Sequence, residues 1–558
     1  MRLLAVVLAL LLAGCAQIPS AGPVEEVPVT AEPPGIDIAP QPPQGGATPN
    51  RILEGFLLAM ADPESDYEVA REYLTAGASA GWRPSEGTVI YSGAVVESEE
   101  HFSVEGKLVG SLDEDGRFTA GGGSLSHDFG LVSVEGQWRI GNPPDGVLIN
   151  RYLFERFYSP LTMFFMAHNG THIIPDLLSW PESMVTPSRI VQAQLDGPGR
   201  SLIGVVTNAI PMTASLGPDG ATIDGDGVVT VDFTGISNAL GEEGRRRMGA
   251  QLLWSLTSVP RVSGLRVTNE GSAFPLPGES ADGVLELATQ QSYQVLARPA
   301  SQDLFGVSSQ VPGRFVGRQR FEPLRTDLPR AIEVALSLDG SQLAVVAEDR
   351  QSLLVGPREG ELLGIDELSG IRDTQFVLGA FFALVNGEEG TELVSVAADG
   401  QVEAMTVEMP EGMELVGVSL SQSGATAAVL AQRGDTVVLG RMTLYQGERL
   451  DGWQEMPLLD ANGNAITDVV DVQWNSESTW VLAGVAGGEQ SVFVVRSDGS
   501  HVESLGGIDT QIAQVAALPR PGGGLIALRA GSGEVWRYSS PDGWSAQETT
   551  VGSITFAG

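Results

Sequence analysis

The sequence predicts a multi-domain chain in which two α+β domains precede an all-β propeller of five to seven blades. Three observations predict it. First, 558 residues exceed the roughly 100–200 that one domain usually organises. Second, helical and alternating apolar patterns mix up to about residue 280, and only strand–turn–strand units follow. Third, those units recur at residues 334–346 (VALSLDGSQLAVV), 376–385, 418–430, 472–482 and 517–528. One inner apolar residue from each, Leu343, Phe382, Ala427, Trp480 and Leu525, gives spacings of 39, 45, 53 and 45 residues. Propeller blades repeat at roughly 40–50 residues. The expected divisions are 1–14, 15–48, 49–158, 159–280 and 285–558.

Residues 1–14 read as a secretory signal. Met1-Arg2 precedes an apolar run from Leu3 to Ala13, too short for the roughly twenty residues of a membrane span. Leu12-Ala13-Gly14-Cys15 matches the lipobox of bacterial lipoproteins, in which the cysteine thiol accepts a diacylglyceryl group and the freed amine an acyl chain. Cys15 is the one cysteine of the chain, so no internal disulfide and no Cys-based zinc site can form. Two or three acyl chains, at about 0.8 kcal/mol per buried methylene, make a stable bilayer anchor. Residues 16–48 are rich in Pro, Gly, Glu and Gln, the composition of a semi-extended tether reaching at most about 100 Å.

In 49–158, Ile52, Leu53, Phe56, Leu57 and Met60 fall at helical spacing until Asp62-Pro63 stops them. Val69, Tyr73 and Leu74 mark a second short helix. From Thr88, strands divided by Glu105-Gly106, Asp115-Gly116, three glycines at 121–123 and Glu135-Gly136 predict a curved antiparallel sheet. In 159–280, Asn169-Gly170 between two apolar runs predicts a two-residue hairpin with both turn residues at positive φ. Val228 to Phe233 reads as a strand, 245–258 as a helix with Met248, Leu252, Leu253 and Leu256 inward, and Leu265 to Val267 as a strand.

The net charge of −38 repels phosphate backbones and excludes nucleic-acid binding as a function. Motifs with chemical letters fail on context. Gly77-Ala78-Ser79-Ala80-Gly81 spells a nucleophile elbow, but that elbow needs a strand-to-helix turn, and here a helix precedes it and Pro84 follows. His168 and His172 flank Asn169-Gly170, so they lie on a hairpin with side chains on opposite faces and cannot share a metal. Asp224-Gly225-Asp226-Gly227 lacks the later ligands of a calcium loop, with Val228 and Gly235 in their places, and reads as a turn. Arg245, Arg246 and Arg247 read as a solvated helix face. Lys107, the only lysine, has no phosphate loop upstream. No catalytic, cofactor or metal residues are assigned, and the chain is expected not to be an enzyme. The inner strands of the repeated units carry Ala, Val, Ser and Gly, an expectation that favours protein contact over a catalytic channel.

Together these pieces resemble a known family. Residues 49–158 resemble the cone-shaped nuclear-transport-factor-like folds. The middle domain resembles the GerMN domain in Phe164-Phe165, Ile174-Pro175, Leu195-Asp196-Gly197-Pro198, Ile210-Pro211 and Val231-Asp232-Phe233. With the run from Cys15 to Pro23 and with Gly136-Gln137-Trp138-Arg139-Ile140, the whole chain is similar to the actinobacterial LpqB lipoproteins. The resemblance implies a protein on the extracytoplasmic face of the cell membrane, lipid-anchored through Cys15. It further implies a non-enzymatic accessory of a two-component system (MtrA–MtrB), touching the extracytoplasmic domain of the sensor kinase MtrB, with effects on envelope homeostasis and division. The alternative is a lipoprotein that binds an envelope ligand or wall polymer in the propeller channel.

Overall fold

A helix opens the first domain because Thr48-Pro49 places a proline, with its fixed φ and missing N–H, in the first helical turn. The computed structural model describes residues 40–98, 101–237, 239–298, 301–318, 320–388 and 390–558; the signal at 1–14, Cys15 and the tether up to residue 39 lie outside the described residues. Helix α1 (Pro49–Ala59) buries Ile52, Leu53, Phe56 and Leu57, the residues whose spacing predicts it. Helix α2 (Glu68–Glu72) follows Ser65, Asp66 and Tyr67, three successive residues at positive φ. In α3 (Ala76–Gly81) the Thr75 hydroxyl caps the helix by accepting from Ala78 N–H at 3.2 Å.

Strands β1 (Thr88–Glu97) and β2 (Phe102–Leu112) form the antiparallel centre of the first sheet, and β3 (Phe118–Ala120) and β4 (Ser124–Asp128) both pair with β2. Strands β5 (Leu131–Val134) and β6 (Gln137–Ile140) form a separate hairpin. The sheet is mixed where an antiparallel one is expected, because β7 (Val147–Asn150) runs parallel to β1. Its entry through Pro143-Pro144-Asp145-Gly146 carries the chain past the sheet end, and Val147 N–H bonds the Gly87 carbonyl at 2.9 Å.

Helix α4 (Arg151–Phe157) leads into the middle domain, whose β8 (Tyr158–Ala167) and β9 (Ile173–Pro181) form the expected hairpin. Its turn differs from the expected one. Gly170 N–H bonds the Ala167 carbonyl at 2.7 Å, centring the turn on His168 and Asn169, and only Gly170 takes positive φ (71°). The Asn169 side chain, which accepts from Thr171 N–H and Oγ1, supports this longer loop. Helix α5 (Pro187–Asp196) and helix α6 (Glu242–Leu256) pack Ile190, Val191, Met248, Leu252, Leu253 and Leu256 into one core with the sheet of β10 (Val228–Thr234) and β11 (Gly264–Asn269).

Leu285–Glu286 pairs with β11, and the Trp254 indole of α6 donates to the Gln290 carbonyl at 3.1 Å. The expected propeller start at 285 therefore falls inside the middle domain, and the first propeller strand is Phe305–Ser308. Six blades follow, within the expected five to seven. Their innermost strands are Ala331–Leu336, Arg372–Val377, Met413–Leu420, Thr467–Trp474, Ile512–Ala517 and, closing the ring, Ser553–Thr555. This last strand pairs with Phe305–Ser308, so the two ends of the domain share one blade. The recurrent residues sit on or beside the second strands: Leu343, Phe382, Ala427 and Trp480 are buried, whereas Leu525 precedes its strand and is 43 % exposed. Apolar cores fill the spaces between adjacent blades.

Candidate functional site

Five of the six innermost propeller strands carry a register shift near their first residues: between Ala331 and Glu333, Arg372 and Gln375, Leu415 and Gly417, Thr467 and Asp471, and Ile512 and Gln514. A bulge re-aims the side chain beside it. Here the shifts accompany Glu333, Asp373, Gln375, Asp471, Gln473 and Gln514 on the walls of an axial cavity of about 340 Å³, with Arg350, Arg372 and Arg529. The expectation of Ala, Val, Ser and Gly on the inner strands is therefore wrong. The recurrent windows begin at 334, 376, 472 and 517, one to three residues beyond Glu333, Gln375, Asp471 and Gln514.

These polar side chains join each blade to the next. Glu333 Oε1 accepts from Thr374 N–H (2.9 Å) and its hydroxyl (2.6 Å). Asp373 Oδ2 accepts from Val418 N–H at 3.2 Å, and Gln375 Oε1 from Leu420 N–H at 2.9 Å. Asp471 Oδ2 accepts from Val515 N–H at 2.9 Å, and Gln514 Oε1 from Ile554 N–H at 3.1 Å. Burial first, then the charges of Asp471 and Glu333, pushes the Asp373 carboxyl up to about 7. Burial, opposed by the hydrogen bonds it accepts, pushes Asp471 up to about 7 as well.

The sign of the resulting pH dependence follows from proton counting. Between the unfolded carboxyl value near 4 and the folded value near 7, the folded state holds protons that the unfolded chain has lost. These two groups therefore make the propeller more stable as pH falls from 7 towards 4. Asp373→Asn with Asp471→Asn should flatten that trend, raising Tm by about 2–4 °C at pH 7.5 and less at pH 5, read by calorimetry. His172 acts oppositely. Burial lowers its pKa, so over the range just below its unfolded value it costs stability as pH falls.

Pro42–Gly558 is one compact unit, and basic side chains make its joints. Arg496, at the end of the third strand (Glu489–Arg496) of the blade built on Thr467–Trp474, reaches the middle domain: Nη2 donates to the Leu161 and Leu178 carbonyls at 2.7 and 3.0 Å, and Nη1 to Ser179 Oγ at 3.1 Å. It also donates to Ser500 Oγ at 3.2 Å and to Asp498 Oδ2 at 2.9 Å, and Asp498 is buried with it. His172 Nε2 meets the Ser423 carbonyl at 2.8 Å across the same joint. Arg151 and Lys107 bond the first domain to carbonyls of Leu459, Asp460 and Gly463. Arg117 ties the first domain to Asp176 and the Gly197 carbonyl of the middle one.

The structure separates the residues with chemical letters. Ser79 lies in α3, where its carbonyl accepts from Arg71. His168 is exposed in the turn and His172 is 3 % exposed in the joint, so the pair does not converge. Asp224 accepts from Asp226 and Val228 N–H in the expected turn. Arg246 and Arg247 pair with Glu242 and Glu243 on α6, while Arg245 stacks over Phe274 at 4.3 Å. Among the described residues no cluster of His, Cys, Asp and Glu is placed to hold a metal ion, and no helix is long and apolar enough to cross a membrane.

Three family models match the chain in the order of its domains. Residues 42–155 match the lipoprotein LpqB N-terminal domain, 162–273 the sporulation and spore germination domain, and 323–554 the lipoprotein LpqB beta-propeller domain. The chain belongs to the LpqB lipoprotein family. The LpqB lipoprotein of Cutibacterium acnes is 28 % identical over 572 residues, covering 96 % of this chain and 95 % of that one. The LpqB lipoprotein of Rhodococcus jostii is 25 % identical, covering 90 % and 88 %. Among solved structures, the first GerMN domain of the sporulation protein GerM of Bacillus subtilis is 19 % identical over 23 % of this chain and 98 % of its own, with a TM-score of 0.19.

Proposed function

We propose that this LpqB-family chain is a lipid-anchored accessory that acts by contact, without turnover, on the extracytoplasmic domain of a membrane sensor kinase of the MtrB kind. The observation that carries the reading is the set of joints between the domains. Arg496, His172, Arg151 and Lys107 fix the propeller against both α+β domains, so the folded part serves as one platform. The middle domain meets the loop after one innermost strand through Ser423 and the end of a third strand through Arg496, and leaves the cavity end near the first residues of the innermost strands uncovered by those contacts. Anchoring platform and partner in one membrane raises their effective concentration, so a micromolar contact of about 8 kcal/mol is occupied. Deleting residues 298–558 should abolish co-purification of the kinase from membranes and alter its signalling. Unchanged co-purification contradicts the reading.

The anchor is a proposal of its own. Cys15→Ser removes the sulfur that accepts the diacylglyceryl group, so metabolic fatty-acid labelling should be lost and the protein should leave the membrane fraction or stay unprocessed. Label retained on the serine variant excludes Cys15 as the lipid site. The polar channel supports the second reading, an envelope ligand bound on the propeller axis.

A further inference from the structure

The axial cavity holds more hydrogen-bonding capacity than blade-to-blade joining uses. Asp471 is spent on Val472 N–H, Gln473 Nε2 and Val515 N–H. Asp373 uses only Oδ2 and Glu333 only Oε1, so Asp373 Oδ1 and Glu333 Oε2 take no hydrogen bond among the described residues. Two donors are also unspent. Gln375 is 9 % exposed and its Nε2 is buried without a partner. Arg529 donates through Nε to Gln514 and through Nη1 to the Ala530 carbonyl, leaving Nη2. A buried amide donor without a partner carries a desolvation penalty that a bound acceptor removes.

We propose that the channel binds a small primary ammonium compound with an oxygen acceptor beside its nitrogen. Asp373 and Glu333 take the ammonium, and Gln375 Nε2 with Arg529 takes the oxygen. The paired arrangement of acceptors and donors selects this class. Three guanidiniums, of Arg350, Arg372 and Arg529, face the three carboxylates on the walls, so a simple anion leaves the free carboxylate oxygens unmet, a simple cation leaves the free donors unmet, and an ammonium compound with an oxygen acceptor meets both. A metal ion needs convergent ligands, and no His, Cys, Asp or Glu set of that kind occurs among the described residues. An ammonium needs only acceptors within hydrogen-bond reach. The cavity, about 340 Å³, lies at the lower end of the roughly 300–1,000 Å³ of small-molecule sites and suits one amino acid or one amino sugar. The two positions of register shift give the site its side chains, and an orphaned donor gives it specificity. This inference rests on the channel reading and not on the kinase contact, so either can fail alone.

The test is titration calorimetry on the full-length protein in detergent, with glycine, ethanolamine and glucosamine as probes at up to about 10 mM. Acetate and glucose, which lack the ammonium, are the controls. Saturable heat is expected for at least one ammonium probe and none for the controls. Asp373→Asn and Glu333→Gln each keep an oxygen for the neighbouring blade's N–H, and each should weaken that probe by about tenfold or more. Should one variant fail to fold, the other decides alone. No saturable binding of the three probes, equal binding of glucose, or unchanged affinity in a folded variant overturns the proposal.

Discussion

Replacing Arg496 by alanine is expected to destabilise the folded unit by about 3–5 kcal/mol. The guanidinium is buried and bonds two carbonyls of the middle domain, Leu161 and Leu178, as well as Asp498. Its removal leaves a buried carboxylate without its cation and takes away the hydrogen bonds that fasten the propeller to the Leu161 and Leu178 carbonyls. Arg496→Lys should recover only part of the loss, because an ammonium is a point charge and cannot reproduce the planar fork that serves both carbonyls and the carboxylate. Asp498→Ala in the Arg496→Ala background should restore stability by removing the orphaned charge. Calorimetry reads both effects. A joint broken in this way should also split one melting transition into separate events for the propeller and the α+β domains. A change below about 1 kcal/mol would show that Arg496 does not hold the joint.

The second large effect lies at the other end of the propeller. Ser553–Thr555 is the innermost strand of the blade that contains Phe305–Ser308, and Ile554, Phe556 and Ala557 are buried. Deleting residues 552–558 removes only seven residues but opens the ring, exposing the apolar faces that the closing blade shares with the blades of Ile512–Ala517 and Ala331–Leu336. The whole propeller should lose protease resistance, leaving a resistant fragment that ends near residue 298. Deleting seven residues from a surface loop, by contrast, costs little. A truncated chain whose blades remain resistant would contradict closure by this strand.

The helices and hairpins were legible where periodicity is local. Ile52, Leu53, Phe56 and Leu57 announce α1, and Met248, Leu252 and Leu253 announce α6, because each residue is buried by its own spacing. The blades were legible from their second strands, buried on both faces and therefore continuously apolar, as Leu343 to Val346 show. The innermost strands were not. They alternate polar channel residues with apolar packing and are interrupted by register shifts, so Glu333, Asp373 and Asp471 read as ordinary surface positions. The joints were illegible for a different reason: nothing near Arg496 in sequence signals that Leu161 and Leu178, more than 300 residues earlier, supply its partners. The parallel strand β7 escaped because its direction depends on where the Pro143–Gly146 crossover delivers the chain, which local pattern does not encode.

The contact reading is tested most directly by measuring binding between the full-length protein in nanodiscs and the isolated extracytoplasmic domain of the sensor kinase, by biolayer interferometry. Saturable binding in the micromolar range or tighter, lost when residues 298–558 are deleted and retained in Cys15→Ser, is the predicted result. No saturable binding by the intact protein, or binding that survives propeller deletion, contradicts it.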